Sequence, residues 1–160
     1  MDNDDPRILE PGHAPTPFTA DEIRSGCPAG RTMKLLVEAA VEPPYHRHIK
    51  FIEVDDRGAT QDLWRTTLDG LPLGEIDTVY STWDELQRHA SFRAAATAIE
   101  SESIDLDTGT VDCLRYTVRE GITIHTFWFA PTLPGMPVKF TAHADDRLTY
   151  LSVMIANTPR

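Results

Sequence analysis

The chain has few cysteines and no long apolar run, and each shortage excludes a class of protein. Its 160 residues include only two cysteines, Cys27 and Cys113. They are too few and too far apart for a disulfide framework or a zinc motif. A domain of this length buries about two-thirds of its unfolded surface, so it needs neither disulfides nor a structural metal to fold. The longest apolar stretch, residues 122–130, is far shorter than the roughly 20 residues of a membrane-spanning helix. We therefore expect reduced, buried cysteines and no membrane span.

Positive charge is also scarce, because 15 lysines and arginines face 25 acidic residues and the net charge is -10. The summed field repels polyanions, and no run of basic residues overrides it locally. Nucleic acid and anionic membrane surfaces are therefore not expected partners. The acidic start, residues 1–5, lacks the basic and apolar regions of a signal peptide, which predicts a cytoplasmic location.

The sequence lacks the motifs of the common cofactor-dependent enzymes. It has no glycine-rich phosphate loop, no Gly-x-Ser-x-Gly, no His-Glu-x-x-His and no dinucleotide fingerprint. We therefore expect no cofactor.

What the sequence does contain is an ordinary globular composition, with 41% hydrophobic and 25% charged residues. Residues 1–18 are rich in proline and show no periodicity, so they are predicted to form an irregular arm. Residues 19–160 are predicted to form a single β domain.

From Arg31 onward, short runs of aliphatic, β-branched and aromatic residues are separated by turn signals about every eight to twelve residues. This rhythm predicts an antiparallel meander. The predicted strands are residues 32–39, 46–54, 59–68, 75–80, 97–106, 111–118, 122–129, 138–143 and 148–156. The predicted turns between them include Glu42-Pro43-Pro44 and Asp145-Asp146.

Two capping boxes predict helices. Thr19 and Glu22 introduce a short helix over residues 20–25, with Gly26 placed to stop it. The segment Ser81-Thr82-Trp83-Asp84-Glu85 introduces a second helix over residues 81–90. A sheet of about nine strands must curl or split, and curling around the second helix would bury that helix's apolar stripe. The predicted fold is thus mainly β: a strongly curved, half-barrel sheet clasping one helix, with a short N-terminal helix.

Three segments in the second half of the chain resemble a known class of protein. They are Gly109-x-x-Asp112-Cys113-x-x-Tyr116, Phe127-Trp128-Phe129-Ala130 and Pro134-Gly135-Met136-Pro137-Val138. In this order they resemble the open β half-barrels typified by bacterial periplasmic lipoprotein carriers and their uncharacterised relatives. The resemblance implies a concave sheet with helices at its mouth that binds an apolar ligand. It carries over no catalytic residue.

Several apolar residues are candidates for lining such a concavity. Trp64 on the third strand and Trp128 on the seventh are large aromatics that would wall a pocket, with Phe127 beside Trp128. Met136 lies in a rigid Pro/Gly loop suited to the rim of an apolar mouth. Aromatic residues at strand spacing are also typical of an ordinary core. The loop is also typical of an ordinary wide turn between two strands.

Two polar residues are candidates for binding or catalysis. His125 lies in a strand that is apolar on both faces, which suggests burial on each side. In a lined cavity it would orient a ligand or act as a base. The alternative is a core histidine whose hydrogen bond is satisfied within the protein. Arg115 shares a face with Cys113. If that face lines the concavity, its guanidinium would clamp a carboxylate; otherwise it is a surface arginine.

His46 and His48 project from one face of the second strand, as a metal pair requires, but no carboxylate lies near them in sequence. The alternative is that both histidines face solvent while Arg47 shares the opposite face with Ile49 and Phe51. Glu100, Glu102 and Asp105 on the fifth strand are interpreted as a solvated edge, because the sequence identifies no partner for the two glutamates.

Three functional hypotheses follow. The first is binding of an apolar or amphipathic small molecule in the concavity. The second is a small cofactor-independent enzyme, an isomerase, cyclase or hydrolase, using His125 or Arg115 in the same cavity. The third is an assembly module, a homodimer formed through exposed sheet edges. A fold argument supports the first, and no site argument supports the second.

Overall fold

The computed structural model describes residues 5–159 of the chain. Within them, nine strands form one antiparallel sheet in the spatial order β4-β3-β2-β1-β9-β8-β7-β6-β5. The strands are β1 (Thr32–Ala39), β2 (Glu42–Val54), β3 (Gly58–Thr66), β4 (Asp77–Thr82), β5 (Thr97–Leu106), β6 (Gly109–Glu120), β7 (Thr123–Phe129), β8 (Lys139–Ala144) and β9 (Arg147–Thr158). The helices are α1 (Ala20–Gly26) and α2 (Trp83–Arg88). The predicted fold class is confirmed.

The sheet consists of two meanders, β1 to β4 and β5 to β9, that meet where β1 pairs with β9. The chain must therefore pass from one edge of the sheet to the other between β4 and β5, and α2 lies on that connection. It crosses the face on which α1 also packs, where the Ala20 amide donates to Gln87 Oε1 at 2.9 Å. We call this helix-covered side, which carries Met33, Ile49 and Phe127, the inner face and the other side the outer face.

Curvature of the sheet follows from which strands meet. Side chains of β4 and β7 line one cavity, although six strand steps separate these strands. In a flat sheet they would lie about 29 Å apart. The sheet therefore curls strongly around the helices, as the length of the predicted meander required.

Both capping boxes are present. The hydroxyls of Thr19 and Thr82 accept from the amides of Glu22 and Glu85, whose carboxylates bond back to the threonine amides. Helix α2 is shorter than the predicted 81–90, because Ser81 and Thr82 pair with β3 and belong to β4.

The largest error in a strand boundary concerns β2, which begins at Glu42 and not at residue 46. The predicted turn at residues 42–44 is wrong, because Glu42 already pairs with Ala39 and the chain reverses at Ala40 and Val41. Pro43 and Pro44 are tolerated since the β1–β2 register shifts between Val37 and Ala39, where ladder hydrogen bonds are interrupted. The predicted turn at Asp145 and Asp146 is confirmed, and both residues have positive φ, at 49° and 63°.

The described part of the arm, residues 5–18, packs against α2 and β6. Pro15 accepts a hydrogen bond from the Tyr116 hydroxyl at 2.7 Å, and Pro6 accepts one from the Gln87 side chain at 2.8 Å. The Ala14 amide donates to the Phe92 carbonyl. The first four residues of the predicted arm lie outside the described residues, and the boundary at residue 18 stays a prediction.

Both cysteines are free and buried, as expected from their number and spacing. No helix in the described range is both long enough and apolar enough to cross a membrane.

Candidate functional site

A cavity of about 370 Å³ lies between the inner face and the helices, and we call it the inner cavity. Its apolar lining comes from α1, α2, the first four strands, β7 and the loop before β8, and includes Ile23, Met33, Ile49, Phe51, Leu63, Leu86, Phe127 and Met136. A concave, mainly apolar space of this size with a few polar groups is typical of a small-molecule site. The polar lining side chains are Cys27, Arg47, Gln61, Ser81 and His89.

One wall of the inner cavity is held by a buried arginine. Arg31 is only 2% exposed, and its Nη1 donates to the carbonyls of Gly26 at 3.0 Å and Pro134 at 2.6 Å. Its Nε donates to Asn157 Oδ1 at 2.9 Å. These bonds join the end of α1 to the loop that carries Met136 and to the end of β9. Arg31 therefore fixes the position of the loop that closes this wall.

Two close approaches complete the same wall. Arg31 Nη1 lies 3.2 Å from Cys27 Sγ, and burial raises the pKa of the Cys27 thiol although the guanidinium opposes that rise. Helix α1 ends at Gly26, one residue beyond the predicted range, and Cys27 is its C-cap. A Cβ at Gly26 would lie 2.7 Å from the Pro134 ring, so the absence of a side chain lets the loop approach α1.

A second, more polar space of about 380 Å³ adjoins the inner cavity, and we call it the outer cleft. The two spaces share Arg47 and Leu63. The outer cleft lies where β3 extends beyond its last pairing with β4, between Leu63 and Asp77. Arg65, Glu75 and Trp64 also line it. A molecule in the inner cavity thus has a polar region next to it at Arg47.

Arg47 and Arg65 are directly opposite each other on β2 and β3. Within residues 5–159, neither forms an ion pair, even though Glu75 and Asp77 line the same cleft. The Arg65 guanidinium lies over the Tyr45 ring, 5.0 Å from its centroid. Two like charges directly opposite in a sheet repel each other, so this pair is an unusual feature in a chain of net charge -10.

A pair of tyrosines extends the polar region near Arg47. Burial, together with the neighbouring Tyr45 hydroxyl, raises the pKa of Tyr150, and the positive charge of Arg47 opposes that rise. The Tyr150 phenol therefore stays protonated at neutral pH and is able to donate a hydrogen bond.

Of the six residues predicted to bind a ligand, Phe127 and Met136 line the inner cavity. Phe127 stacks on Phe92 and packs against Phe140, with centroid distances of 4.9 and 4.8 Å. His125 lies on the same face two residues earlier, beside Phe140 at 5.8 Å, but it is not part of the cavity lining.

The other three predicted residues lie on the outer face. Trp64 stacks on His48 there and borders the outer cleft from the sheet edge. Arg115 pairs with Trp128 across β6 and β7, and neither lines the inner cavity. Arg115 and His125 project from opposite faces, so one pocket does not hold both catalytic candidates.

The outer face holds Arg115 in an ion-pair network. Its guanidinium bonds to Glu102 at 2.8 Å and to Glu100 at 3.1 Å, and Trp128 Nε1 also donates to Glu102. The two glutamates lie on the edge strand β5, as interpreted, but Arg115 and Trp128 are partners that the sequence did not identify. The four residues of this network are neighbours on β5, β6 and β7, and such long-range pairings are not visible in sequence.

His46 and His48 lie on the outer face with ring centroids 6.3 Å apart and nearly perpendicular. His48 stacks on Trp64 at 5.0 Å and shares a hydrogen bond of 2.8 Å with Thr66. Burial lowers the pKa of both histidines, and the positive charge of Lys34 adds to this. In the described part of the chain, no cluster of three or more metal-ligating side chains includes them.

Sequence reasoning missed Arg47 and Arg65 as site residues. The signal for Arg47 was present, since it alternates with Ile49 and Phe51 on one face of β2, so a charge stood among core residues. Nothing in the sequence marked Arg65, whose position opposite Arg47 depends on the β2–β3 register.

Comparison with known proteins supports the fold. No family model matches the chain, and no curated protein sequence matches it significantly. A solved structure from Bacteroides fragilis, of a protein described by its YmcC-like fold and provisionally as exported, superimposes with a TM-score of 0.51 at 8% identity. The match covers 82% of this chain and 98% of that one. The chain therefore shares its overall fold with that protein.

Proposed function

We propose that this protein binds an apolar or amphipathic small molecule in the inner cavity. The observation that carries the proposal is the partly open cavity of about 370 Å³, bounded by the curled sheet and the two helices and lined mainly by apolar side chains. Proteins pack their interiors to crystal-like density, so leaving an apolar space of this size unfilled lowers the free energy of unfolding. A ligand that fills it offsets that cost.

The construction of the wall also supports binding. The loop that carries Met136 packs against the core through Leu133 and Met136 and is held to α1 by the hydrogen bond from Arg31 to the Pro134 carbonyl. Loops positioned by a rigid scaffold often carry ligand-binding residues. The flexible thioether of Met136 adapts to ligands of different shape.

The first test is native mass spectrometry of the freshly purified protein beside its denatured mass. We expect an excess mass that is lost on denaturation, or, after removal of any retained ligand, a one-to-one complex with added decanol.

A matched pair of variants locates that complex. Ala90 lines the inner cavity, whereas Ala95 lies exposed in the short turn that follows. Ala90→Leu fills part of the cavity and should weaken decanol binding about tenfold, and Ala95→Leu should leave it unchanged. Thermal unfolding checks that both variants fold. Equal binding by both folded variants would contradict the proposal.

The catalytic and assembly hypotheses have less support. His125 and Arg115 lie on opposite faces of the sheet, so we propose no reaction that uses both. The edge strands β4 and β5 are where a second copy would pair, and the homodimer stays a prediction, as does the cytoplasmic location.

A further inference from the structure

We propose that the ligand is an amphipathic anion, an alkyl carboxylate, whose chain occupies the inner cavity and whose carboxylate is bound by Arg47 with help from Arg65. This inference rests on the proposed function and adds the chemical class of the ligand. It is carried by a pair of arginines at the one place where the apolar cavity and a polar cleft share their lining.

The first step concerns position. Arg47 belongs to the lining of both the inner cavity and the outer cleft, so its half-buried side chain lies at the junction of an apolar and a polar space. An amphipathic molecule has the same division along its length. The alkyl chain matches Ile49 and Phe51, and the charged end matches Arg47.

The second step concerns charge. Arg47 and Arg65 are cross-strand partners, and within the described range neither forms an ion pair. Arg115, on the outer face, shows the contrast, because two glutamates neutralise it. A bound carboxylate would relieve the repulsion between Arg47 and Arg65, and a guanidinium binds a carboxylate through two parallel hydrogen bonds.

The third step concerns selectivity. Glu75 and Asp77 border the outer cleft and repel a second negative charge that extends far into it. The site is therefore suited to a single carboxylate held close to Arg47, and less suited to a dianion such as a phosphate monoester. The same acids disfavour free passage of polyanions, in keeping with the net charge of -10.

The test compares three ligands with the same ten-carbon tail: decanoate, decanol and decyltrimethylammonium. Binding is measured by isothermal titration calorimetry below the concentration at which each ligand self-associates. We expect decanoate to bind about tenfold or more tightly than decanol, because charge-assisted hydrogen bonds are the strong ones. Decyltrimethylammonium should bind more weakly than decanol.

Arginine variants identify the charged group responsible. Arg47→Gln should weaken decanoate binding about tenfold and leave decanol binding unchanged, and Arg65→Gln should have a smaller effect since this side chain is exposed. Arg119→Gln, at an exposed end of β6, is the control and should change neither. Circular dichroism confirms that each variant folds.

The outcomes separate the two proposals. Equal binding of decanoate and decanol, or decanoate binding that Arg47→Gln does not weaken, would overturn the carboxylate assignment and leave the cavity proposal intact. Preferential binding of decyltrimethylammonium would overturn it as well and assign the head group to Glu75 and Asp77. Failure of all three ligands to bind would overturn the proposed function and this inference with it.

Discussion

The two faces of the sheet are made by the same strands, yet one encloses an apolar cavity and the other carries paired polar side chains. Phe127 and Trp128 are adjacent in β7 and show the difference most directly. Phe127 packs among aromatic rings and lines the inner cavity, whereas Trp128 donates to Glu102 and lies beneath Lys139 on the outer face. The difference teaches that the position of α1 and α2 over one face, and not the composition of a strand, decides which face is able to bind a ligand.

Two arginine side chains show the same difference between the outer and inner faces. Arg115 on the outer face is neutralised by Glu100 and Glu102, which are cross-strand neighbours. Arg47 on the inner face has another arginine as its cross-strand neighbour. A charge with satisfied partners stabilises the outer face, and a charge without them is available for a ligand.

The largest effect should come from removing the arginine that holds the cavity wall. Arg31→Met leaves the carbonyls of Gly26 and Pro134 and the Asn157 side chain without their donor, and we expect a loss of about 3 kcal/mol in the free energy of unfolding. Urea denaturation measures the loss. Arg24→Met on the exposed side of α1 is the control, with an expected change of about 0.5 kcal/mol or less. Equal losses of stability in the two variants would show that Arg31 does not hold the wall of the inner cavity.

An intermediate effect should come from the inner-face tyrosine that anchors the arm. Tyr116→Phe removes the donor to Pro15 and should cost about 1 to 2 kcal/mol near neutral pH. Guanidinium denaturation checks this value. A loss within error of zero would mean that the contact with Pro15 does not stabilise the inner face.

The same tyrosine predicts a pH dependence. Burial raises the pKa of Tyr116 to about 12, above its usual value of about 10 in an unfolded chain. A raised folded-state pKa contributes stability that is complete below pH 10 and is lost as the pH rises toward 12. The free energy of unfolding should therefore fall in that range, less steeply in Tyr116→Phe. An identical slope in both proteins would contradict the burial of this phenol, although Tyr150 and Tyr80 also contribute to the slope in each.

The smallest effect should come from the outer-face network. Glu102→Gln keeps an acceptor for Trp128 and leaves Glu100 to pair with Arg115, whose side chain is 28% exposed. We expect a loss of less than about 1 kcal/mol, measured by urea denaturation, and unchanged ligand binding. A loss of ligand affinity in this variant would show that the outer-face network affects binding at the inner face, which contradicts the contrast between the two faces.

Most of the fold was predictable because strand periodicity, turn residues and capping boxes are local signals. The strands at residues 32–39 and 97–106 were predicted with their observed bounds, and alternation correctly separated His125 and Phe127 from Trp128. Alternation states which residues share a face but not which face is covered. That choice depends on where the β4–β5 connection crosses, which is a property of the whole sheet.

The candidate site was less predictable for the same reason. Met136 and Phe127 were identified by chemistry and happen to lie on the covered face, whereas Arg115 and Trp128 have equally suitable chemistry on the other. The Arg47–Arg65 pair requires the register of β2 on β3, which shifts by one residue between Phe51 and Glu53. A register shift of one residue would have placed one of these arginines on the outer face.

Photo-crosslinking with an alkyl carboxylate that carries a diazirine in its chain tests most directly whether the inner face is the binding face. Mass spectrometry of the digested adduct identifies the labelled residues. The account predicts labels on residues that line the inner cavity, such as Phe51, Phe127 and Met136, and competition by excess decanoate. Labels concentrated on Trp128 and its neighbours on the outer face would contradict it.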